Sequence, residues 1–584
     1  MINAFKYKLI GDKPIVKLEE ILKQQGVENV KDFLNPPIDC LENPNNFDNI
    51  EKASQLFNKN KKRNVSLVVD CDVDGFTSAA LIYQYLMRCE FVNDIAVYCH
   101  SAKQHGVSDL HYALSKDESD LIIIPDAGSS DDEYFNQIHQ TSCVKKDILV
   151  LDHHLRDKKL PKECTTAIIV NNQMSDKINN KTLTGVGIVY KFCKYLDKKQ
   201  NTNYSDDYLD LVALGMVADK ANLRNLESRY LVLQGLNQIN QHKNKNLFIN
   251  ELIKSKKFSI GNEVTILDLG FQIAPMINST IRCGVMQENN AMFQAFVNSE
   301  QTMRMYLRGK GEVKMSMQEY ARRICETLVR KQKAKIAKYS VDIIKQINES
   351  DIKNYPVIIA DVKNVENTFT GLLANMLASE YKRPVLCMRA NKGILRGSGR
   401  GFEKGSINDF NQFLTDTQLF SMVEGHPNSF GVSIDIDNLD IFLDKLSQME
   451  YNPDTYYHIY NIFDDSLSQT TVRHFGKYHK VYGNGVDEPL FVVKGIICNK
   501  YNIKISPSQK AISFKWHNIE FTKYSRSPMV DLIDELDKCF ESGNGNIEIE
   551  VVGKFKLGSY KDSAMMIVDD INIKPTDKCR LFGG

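Results

Sequence analysis

The middle of the chain alternates short apolar runs with polar loops and stretches of helical periodicity. From Val65 onward, the apolar runs are SLVV (66–69), IAVYC (95–99), LIII (121–124), DILVL (147–151) and TAIIV (166–170). Continuous apolar runs of this length, bounded by loops, are typical of strands that are buried on both faces. Several of them are followed by a stretch with helical periodicity, such as residues 78–88. This pattern predicts an α/β domain built on a parallel sheet.

The remaining pattern divides the chain into further regions. Residues 205–240 and 316–349 have helical periodicity, residues 356–445 return to alternating strands and helices, and the C-terminal region is strand-like with few helical runs. We therefore predict seven segments: a helical lead-in (1–60), the parallel-sheet domain (61–300), a connecting helix (301–350), a smaller α/β domain (351–445), a linker (446–485), a small β-barrel (486–576) and a tail (577–584).

Composition narrows the class of protein. A chain of 584 residues is too long for one core, which agrees with several domains. The net charge of +1 gives no support to a nucleic-acid partner, although a local basic groove would suffice. The thirteen cysteines include no C-x-x-C pair, which argues against a zinc ribbon and against a disulfide framework. Because the chain has no apolar N-terminal run and no apolar stretch that could span a bilayer, we expect a cytoplasmic protein that does not associate with membranes.

Acidic residues and histidines follow the predicted strands. SLVV leads into Asp-Cys-Asp-Val-Asp-Gly (70–75), LIII into Pro-Asp-Ala-Gly (125–128) and DILVL into Asp-His-His (152–154), while the run 210–220 delivers Asp219. The carboxyl ends of parallel strands converge on one crevice, where ligands bind. A single acid of this kind is usually a loop cap or a surface carboxylate, but packing gives no reason for four segments to end this way. We therefore expect the four segments to form one site.

The residue types in these segments indicate a site for hard divalent cations. Carboxylates with one or two imidazoles and no thiolate suit Mn²⁺ or Mg²⁺ better than structural zinc. The candidates exceed the usual share of protein ligands for one ion, so we predict two ions, which together can activate water and hold a phosphate for in-line attack. Adjacent His153 and His154 cannot both point the same way from an extended strand end. One is therefore predicted to be a metal ligand, and the other to contact the substrate phosphate or the leaving oxygen.

The Asp-x-Asp-x-Asp-Gly string at 70–75 also matches the start of a calcium-binding EF-hand loop. That loop requires a helix before it and a glutamate at its twelfth position. Here a predicted strand precedes the string, and the twelfth position is Leu81. The EF-hand interpretation is therefore rejected.

Together, the motifs D-x-D-x-D-G, D-x-G, D-H-H and V-A-D resemble those of the DHH phosphoesterase superfamily. Beyond these motifs, the chain resembles RecJ exonucleases over nearly its whole length. Residues 183–192, 210–223 and 269–284 are similar to segments of the RecJ DHH domain, residues 382–401 and 424–431 to the DHH-associated domain, and residues 547–571 to the OB-fold. The resemblance implies an α/β protein with a parallel-sheet DHH domain and a smaller α/β DHH-associated domain joined by a long helix, followed by a C-terminal β-barrel of the OB-fold type.

The resemblance also implies roles for individual residues. Two divalent metal ions, Mn²⁺ or Mg²⁺, would be held by Asp72, Asp74, Asp126, His153 and Asp219, with Asp70 as a sixth candidate ligand. Catalysis would involve Asp126, His154 and Arg282, the last two facing the reacting phosphate. DNA would be bound by Lys103, Asn278, Arg282, Ser398, Arg400 and His426. The implied activity is that of a single-stranded-DNA-specific 5′→3′ exonuclease, which releases 5′-mononucleotides and acts as a monomer in DNA repair, recombination or replication.

The chain departs from the family pattern near the predicted DNA contacts. Glu424 stands before Gly425-His426, where relatives often have glycine, and Gly401 follows the Gly-Ser-x-Arg motif in place of serine. Lys103 takes the place of an arginine, at an imperfect offset. These changes bear on recognition of the DNA end more than on cleavage, because all of the predicted metal positions are intact.

Other members of the superfamily are the main alternatives. An oligoribonuclease, a cyclic-dinucleotide phosphodiesterase or a family II pyrophosphatase would share the metal centre, but such chains are usually shorter and lack the barrel. A non-catalytic DNA-binding relative would be expected to have lost metal ligands, which are all present here. The sequence leaves open the polarity, the preference for DNA over RNA, the ion used, and whether a single-strand-binding protein or a helicase docks on the barrel.

Overall fold

The computed structural model describes residues 5–57, 62–100, 104–261, 263–450, 455–525, 528–543, 545–558 and 562–576. It divides into two compact units. Unit I comprises Gln25–Gln332 and Lys480–Asp487, and unit II comprises Met1–Gln24, Lys333–His479 and Glu488–Gly584.

The strands, in chain order, are β1 (Phe5–Leu9), β2 (Arg63–Val69), β3 (Val92–Cys99), β4 (Leu121–Pro125), β5 (Asp147–Asp152), β6 (Ile168–Asn171), β7 (Thr302–Leu307), β8 (Gly311–Ser316), β9 (Ile358–Asp361), β10 (Val385–Asn391), β11 (Ile394–Arg400), β12 (Phe420–His426), β13 (Ser429–Asp435), β14 (Thr455–Ile459), β15 (Asn461–Phe463), β16 (Phe491–Asn499), β17 (Ile503–Ile505), β18 (Ala511–Trp516), β19 (Ile519–Tyr524), β20 (Asn546–Leu557) and β21 (Ala564–Pro575).

The α-helices are α1 (Leu18–Gln24), α2 (Val30–Leu34), α3 (Ile50–Ser54), α4 (Val73–Arg88), α5 (His111–Lys116), α6 (Asp132–Thr141), α7 (Gly185–Gln200), α8 (Leu209–Ala218), α9 (Leu226–Asn240), α10 (Leu247–Ser255), α11 (Ile266–Asp268), α12 (Ala274–Cys283), α13 (Met286–Phe296), α14 (Met317–Glu349), α15 (Thr370–Tyr381), α16 (Phe410–Asp416), α17 (Ile436–Gln448), α18 (Gln469–Gly476) and α19 (Val530–Ser542). A π-helical turn (Leu269–Ile273) joins α11 to α12.

Unit I is built on a five-stranded parallel sheet with the strand order β3-β2-β4-β5-β6. Alternate residues of the strands face two apolar layers. Leu67 and Ile123 pack with residues of α4, α7 and α8, whereas Ile122 and Val150 pack with residues of α5 and α6. Because both faces are covered, β2, β4, β5 and β6 consist mostly of buried apolar residues, whereas the edge strand β3 also has exposed positions. The predicted parallel α/β fold is confirmed.

The order of the strands reverses between β2 and β4. The chain first adds β3 on one side of β2, and then adds β4, β5 and β6 on the other side. In an open α/β sheet, such a reversal leaves a crevice at the carboxyl ends of the two central strands. Residues 70–74 follow β2 and Asp126 follows β4, so the acidic segments lie at this crevice.

Unit II contains two larger sheets. The first has the order β12-β13-β11-β10-β9, with β9 and β10 parallel and the other neighbours antiparallel, and α15, α16 and α17 contact its strands. This sheet and its helices form the predicted smaller α/β part. The second is a seven-stranded mixed sheet with the order β15-β16-β20-β21-β19-β18-β17, against which α18 and α19 pack. It stands where a C-terminal barrel was predicted, and its assignment as an OB-fold stays a prediction.

Three of the predicted segments contain strands that were not predicted. The lead-in begins with β1, which pairs in parallel with β14, so the helical prediction is wrong there. The predicted connecting helix begins with the hairpin β7–β8 before α14 starts, and the predicted linker contains β14, β15 and α18. Both β1 (FKYKL) and β7 (TMRMYL) alternate apolar and polar residues, as half-exposed strands do. The seven segment boundaries stay a prediction.

Across the part of the chain that the structure describes, no helix combines the length and the apolarity that crossing a membrane requires.

Candidate metal centre

The segment after β2 places three aspartates at the start of α4. Asp72 caps the helix, because its Oδ1 accepts a hydrogen bond from the backbone N of Gly75 at 2.9 Å. Asp70 and Asp74, on either side of it in the sequence, are buried. A Cβ at Gly75 would lie 2.6 Å from the Cβ of Asp70, so the helix can begin this close to Asp70 only with glycine at that position. The carboxylates are thereby held at the end of the sheet.

Asp126 follows β4 in an uncommon backbone conformation. Its φ of 66° lies in the left-handed region, which aspartate adopts more readily than most residues. The backbone N of Asp126 donates a hydrogen bond to the carbonyl O of Leu151 at 2.8 Å, which ties this turn to β5. A Cβ at Gly185, the first residue of α7, would overlap the Asp126 carboxylate. α7 therefore packs directly over Asp126.

Asp152 positions the two histidines that follow it. It is fully buried, and its Oδ1 accepts hydrogen bonds from the backbone N of His153 (2.7 Å) and of His154 (3.1 Å) and lies 2.8 Å from Nδ1 of His154. Its Oδ2 accepts a hydrogen bond from the backbone N of Ser129 at 2.9 Å. Although burial opposes its ionisation, the hydrogen bond and charge of His154 hold the pKa of Asp152 well below its usual range. Asp152 is thus a charged positioning residue.

The two histidine rings point to different surroundings. Nε2 of His153 lies 3.2 Å from Oδ1 of Asp126 and 3.6 Å from Oδ2 of Asp219. Burial and the charge of His154 lower the pKa of His153 to about 4, so this imidazole is neutral, as a metal ligand must be. The side chain of His154 is 55% exposed, and its hydrogen bond to Asp152 raises its pKa to about 9. His153 therefore faces the carboxylates, and His154 is a partly exposed cation at neutral pH.

Asp219 reaches the site from α8. It is the C-cap residue of that helix, and its side chain is 36% exposed. α8 approaches α4 closely at Gly215, where a Cβ would lie 2.5 Å from Oδ1 of Asp74. Burial, followed by the charges of Asp74 and Asp72, raises the pKa of Asp219 to about 8. The fourth predicted segment thus joins the same acidic cluster.

The buried carboxylates of this cluster lack positive charge. Burial, followed by the charge of Asp72, raises the pKa of Asp74 to about 7, and burial, followed by the charge of Asp74, raises the pKa of Asp126 well above its ordinary value. Oδ2 of Asp74 and Oδ1 of Asp126 are buried and receive no hydrogen bond from any described residue. Buried carboxylate oxygens without donors are unfavourable. A divalent cation would supply the missing charge, and carboxylates with imidazole and no thiolate fit Mn²⁺ or Mg²⁺.

Three groups of side chains have candidate ligand atoms that lie within 4.8 Å of one another. The groups are Asp126 with Asp152, His153 and His154; Asp70 with Asp72 and His105; and Asp74 with His153 and Asp219. All six ligands predicted from the sequence occur in these groups, so the structure brings them together. Their roles as ligands, and the number of ions, stay predictions.

His105 is a candidate that the sequence motifs did not indicate. Its Nδ1 lies 2.6 Å from Oδ2 of Asp70, and the backbone N of Gly106 lies 3.3 Å from Oδ1 of the same carboxylate. Asp70 therefore has hydrogen-bonding partners, whereas Oδ2 of Asp74 and Oδ1 of Asp126 accept no hydrogen bond within the described part of the chain. The available signal was position: His105 follows β3, whose carboxyl end lies beside that of β2. The predicted DNA contact Lys103 lies outside the described residues.

Two further predicted DNA contacts lie on α12. Burial lowers the pKa of Arg282, while the neighbouring Cys283 and Asp72 act in the opposite direction. The charge of Asp72 therefore reaches the Arg282 guanidinium, and α12 contacts α4, the helix that Asp72 caps. Asn278 lies four residues earlier, on the same side of the helix, and is partly exposed.

The remaining predicted DNA contacts lie on one face of the smaller sheet of unit II. Arg400 on β11 and His426 on β12 pair with the same residue of the intervening β13, and residues paired across strands face the same side. Ser398 lies two residues before Arg400 on that side, and its Oγ is 3.1 Å from Oγ1 of Thr370, the first residue of α15. A Cβ at Gly371 would lie 2.6 Å from Nη2 of Arg400. Ser398 and Arg400 thus lie at the N-terminus of α15, and helix N-termini favour the binding of anions.

Comparisons with known proteins agree with this arrangement. The family described as DHH family, N-terminal domain, matches residues 64–216. A protein of Bacillus subtilis (strain 168), which has the provisional name SPbeta prophage-derived single-strand DNA-specific exonuclease YorK, is 34% identical over 572 residues, or 95% of this chain and 96% of that protein. The single-stranded-DNA-specific exonuclease RecJ of Thermus thermophilus is 24% identical over 258 residues, or 44% of this chain and 36% of RecJ.

A solved structure shares the fold. The crystal structure of RecJ in complex with Mn²⁺ from Thermus thermophilus superposes with a TM-score of 0.69 at 16% identity, covering 99% of this chain and 80% of that chain. A second, of exonuclease RecJ bound to manganese, has a TM-score of 0.52 at 17% identity and covers 71% of this chain and 98% of that chain. At these identities the likeness concerns the fold.

Proposed function

Because the chain belongs to the DHH family and is a RecJ-like nuclease within it, we propose that it is a metal-dependent exonuclease that degrades single-stranded DNA from the 5′ end. It would release 5′-mononucleotides and act in DNA repair, recombination or replication. The names of the Bacillus subtilis and Thermus thermophilus relatives, both specific for single-stranded DNA, support this substrate. The observation that carries the proposal is the buried acidic cluster at the crevice between β2 and β4, with two carboxylate oxygens that lack donors.

The metal-binding part of the proposal rests on the acidic cluster. Two ions, Mn²⁺ or Mg²⁺, would be held by Asp72, Asp74, Asp126, His153 and Asp219, with Asp70 and His105 adjoining them. When bound, such ions lower the pKa of water and neutralise charge on a phosphodiester. The protein contributes positioning, because α4, α8 and the turn after β4 bring the carboxylates together against their mutual repulsion.

His154 and Arg282 are suited to contact the substrate. Asp152 engages one ring nitrogen of His154, so the other is available to a phosphate or to the leaving oxygen. The hydrogen bond to Asp152 raises the pKa of His154, which favours a protonated ring that can donate its proton to a departing oxygen. Arg282 adds a permanent positive charge, and a guanidinium can hold two phosphate oxygens at once.

Ser398, Arg400 and His426 are proposed to hold the DNA backbone or the 5′-phosphate. Their side chains share one sheet face at the start of α15, so a hydroxyl, a guanidinium and an imidazole are offered together with the helix N-terminus. Those groups bind phosphate well. We therefore expect these residues to affect binding of the substrate rather than the hydrolytic step.

The main test uses single-stranded oligonucleotides labelled separately at each end. Wild-type protein is incubated with Mn²⁺, with Mg²⁺ or with a chelator, next to Asp126→Asn and Asp210→Asn. Asp126→Asn removes a predicted ligand, whereas Asp210→Asn changes an equally buried aspartate that hydrogen-bonds the backbone of Asn246. We expect early release of the 5′ label as mononucleotide by wild type and by Asp210→Asn, no release with the chelator, and none by Asp126→Asn.

Each alternative predicts a different outcome. Loss of the 3′ label first would contradict the proposed polarity, and hydrolysis of dinucleotides alone would favour an oligoribonuclease-like enzyme. Equal degradation of duplex DNA would contradict single-strand specificity. Activity in Asp126→Asn equal to that of wild type would contradict the assigned site.

A second experiment tests the proposed phosphate-binding residues of unit II, Ser398, Arg400 and His426. Arg400→Gln is compared with Arg396→Gln, which changes an exposed arginine earlier on β11. With substrates that carry either a 5′-phosphate or a 5′-hydroxyl, Arg400→Gln is expected to raise KM about tenfold or more while kcat changes little, because one charge-assisted contact is lost. An equal effect of both variants would contradict a specific role for Arg400.

A further inference from the structure

A single narrow stripe is exposed along the helix that carries Arg282. Between residues 273 and 281, every residue is buried except Pro275 and Asn278. The stripe continues to Phe271 at one end and to Arg282 at the other. These residues are three or four positions apart, which places them on one side of a helix. The stripe is therefore the surface through which this helix meets solvent.

Phe271 forms the apolar end of the stripe. Its side chain is 78% exposed, although Leu269 and Ile273, two residues away on either side, are fully buried. It lies in the π-helical turn, a rare conformation that is frequent at functional sites. A lone exposed aromatic residue is ordinary on a protein surface. What distinguishes Phe271 is its alignment with Asn278 and Arg282, two residues proposed to bind DNA.

The stripe borders the candidate metal centre at both ends. Gly270 packs against Val217, because a Cβ added to Gly270 would lie 3.4 Å from Cγ1 of Val217. Val217 lies two residues before Asp219. At the other end, the charge of Asp72 reaches Arg282, and α12 contacts α4. At about 1.5 Å per residue, the eleven steps from Phe271 to Arg282 span about 16 Å. That length is several times the spacing of about 3.4 Å between stacked nucleotides.

We propose that Phe271 stacks on a base of the substrate strand, several nucleotides away from the phosphate that Arg282 contacts. The proposal rests on the proposed function and adds a positioning residue to it. Aromatic rings beside groups that contact phosphate are the means by which proteins hold single strands without sequence preference. An oligonucleotide that is too short to reach from Arg282 to Phe271 gains nothing from this ring, so the contact makes affinity depend on strand length.

The test compares three variants with wild type. Phe271→Ala removes the ring, Phe271→Trp keeps an aromatic surface, and Phe258→Ala removes a fully exposed ring elsewhere in unit I. Binding of fluorescent single strands of increasing length is measured by polarisation with a chelator present, and kcat and KM are measured with Mn²⁺. For long strands, we expect Phe271→Ala to weaken binding and raise KM about tenfold at unchanged kcat. Phe271→Trp and Phe258→Ala are expected to match wild type, and dinucleotides are expected to show no difference.

Substrates with one abasic nucleotide at successive positions locate the contact. One position is expected to weaken binding by wild type about as much as Phe271→Ala does, and to have no further effect in that variant. A Phe271→Ala protein that binds long strands as Phe258→Ala does would overturn the proposal. So would an equal loss with dinucleotides, or a fall in kcat that Phe271→Trp does not restore. If wild type binds strands without cleaving them, the proposed function fails, and the binding measurements still decide the role of Phe271.

Discussion

Replacing Asp74 with asparagine is expected to stabilise the metal-free protein and to remove its response to metal. Oδ1 of Asp74 accepts hydrogen bonds from Oγ1 of Thr184 at 3.0 Å and from the backbone N of Val186 at 3.2 Å, and asparagine keeps this oxygen. Oδ2 of Asp74 is buried and accepts no hydrogen bond from the residues that the structure describes. The charge of the Asp74 carboxylate also raises the pKa of Asp126. The amide group that would replace Oδ2 is neutral and can donate a hydrogen bond to Asp126.

The pKa of Asp74 gives the size of this effect. Burial and the charge of Asp72 raise it from 3.8 to about 7, a difference that corresponds to about 4 kcal/mol at about 1.36 kcal/mol per pH unit. The folded protein binds this proton more tightly than the unfolded chain does. The associated stability is therefore present below about pH 4 and is lost as the pH rises through about 7. Near pH 8, the metal-free wild type carries the whole penalty, and the asparagine variant carries none of it.

Thermal unfolding near pH 8 measures the effect, first with a chelator and then with Mn²⁺. At about 2 °C per kcal/mol for a unit of this size, Asp74→Asn is expected to melt up to about 8 °C above wild type in the chelator. Addition of Mn²⁺ is expected to stabilise wild type strongly and the variant little. Asp210→Asn is the matched control, because burial raises the pKa of Asp210 to about 6, away from the acidic cluster. It is expected to keep the full response to Mn²⁺.

Two results would refute this reasoning in different ways. An unchanged response to Mn²⁺ in Asp74→Asn would show that Asp74 is not a ligand. If Asp74→Asn melts below wild type in the chelator, the surroundings stabilise the Asp74 carboxylate, and repulsion within the acidic cluster does not destabilise the metal-free protein.

Two further predictions concern ion pairs in which one member is buried. Asp152→Asn removes the charge whose hydrogen bond raises the pKa of His154, and NMR titration of the metal-free variant is expected to show that pKa falling from about 9 toward 6.5; an unchanged value would contradict the assigned cause. In the wild-type protein, the buried ammonium of Lys146 lies 2.9 Å from the Asp117 carboxylate. Asp117→Asn removes this counter-charge and is expected to lower the free energy of unfolding, measured in urea, by about 3–5 kcal/mol. Asp207→Asn breaks the half-exposed ion pair with Arg88 and is expected to lower the free energy of unfolding by less than about 1 kcal/mol. Equal losses in the two variants would contradict the inference that burial makes the Asp117–Lys146 pair more important for stability.

Strands β2, β4, β5 and β6 could be predicted because they are buried on both faces. A run such as LIII in β4 is wholly buried, so every position is apolar and the strand stands out from its surroundings. The strands β1 and β7 have one exposed face: Lys6 and Lys8 alternate with apolar or aromatic residues in β1, and Thr302, Arg304 and Tyr306 alternate with apolar residues in β7. In runs of five or six residues, that alternation is hard to tell from the charged pattern of a solvated helix, so the sequence predicts helical segments where these two strands lie.

The site could be predicted as a set of residues but not as an arrangement. The rule that parallel strands meet at their carboxyl ends was enough to gather Asp72 and Asp126, whereas Asp219 reaches the site from the end of helix α8. It could not assign the two histidines, because their difference depends on Asp152, which bonds the ring of His154 and leaves His153 facing the carboxylates. The same rule extends to His105, because His105 follows β3, whose carboxyl end lies beside that of β2, but no recognised motif includes this histidine.

Unfavourable local features, namely a left-handed aspartate and buried carboxylate oxygens that accept no hydrogen bond from described residues, indicate the position of the site independently of the sequence motifs. Asp126 combines a left-handed backbone with a buried carboxylate oxygen that accepts no hydrogen bond within the described ranges, and Asp74 lies beside it with another. Phe271, exposed in a π-helical turn, lies on the stripe that borders the same cluster. Natural sequences tolerate such local costs mainly where function requires them, because packing elsewhere must offset them. The sheet of unit I, with apolar residues on both faces, supplies that packing directly beneath the acidic residues, so the core of the fold holds charges together that would otherwise separate.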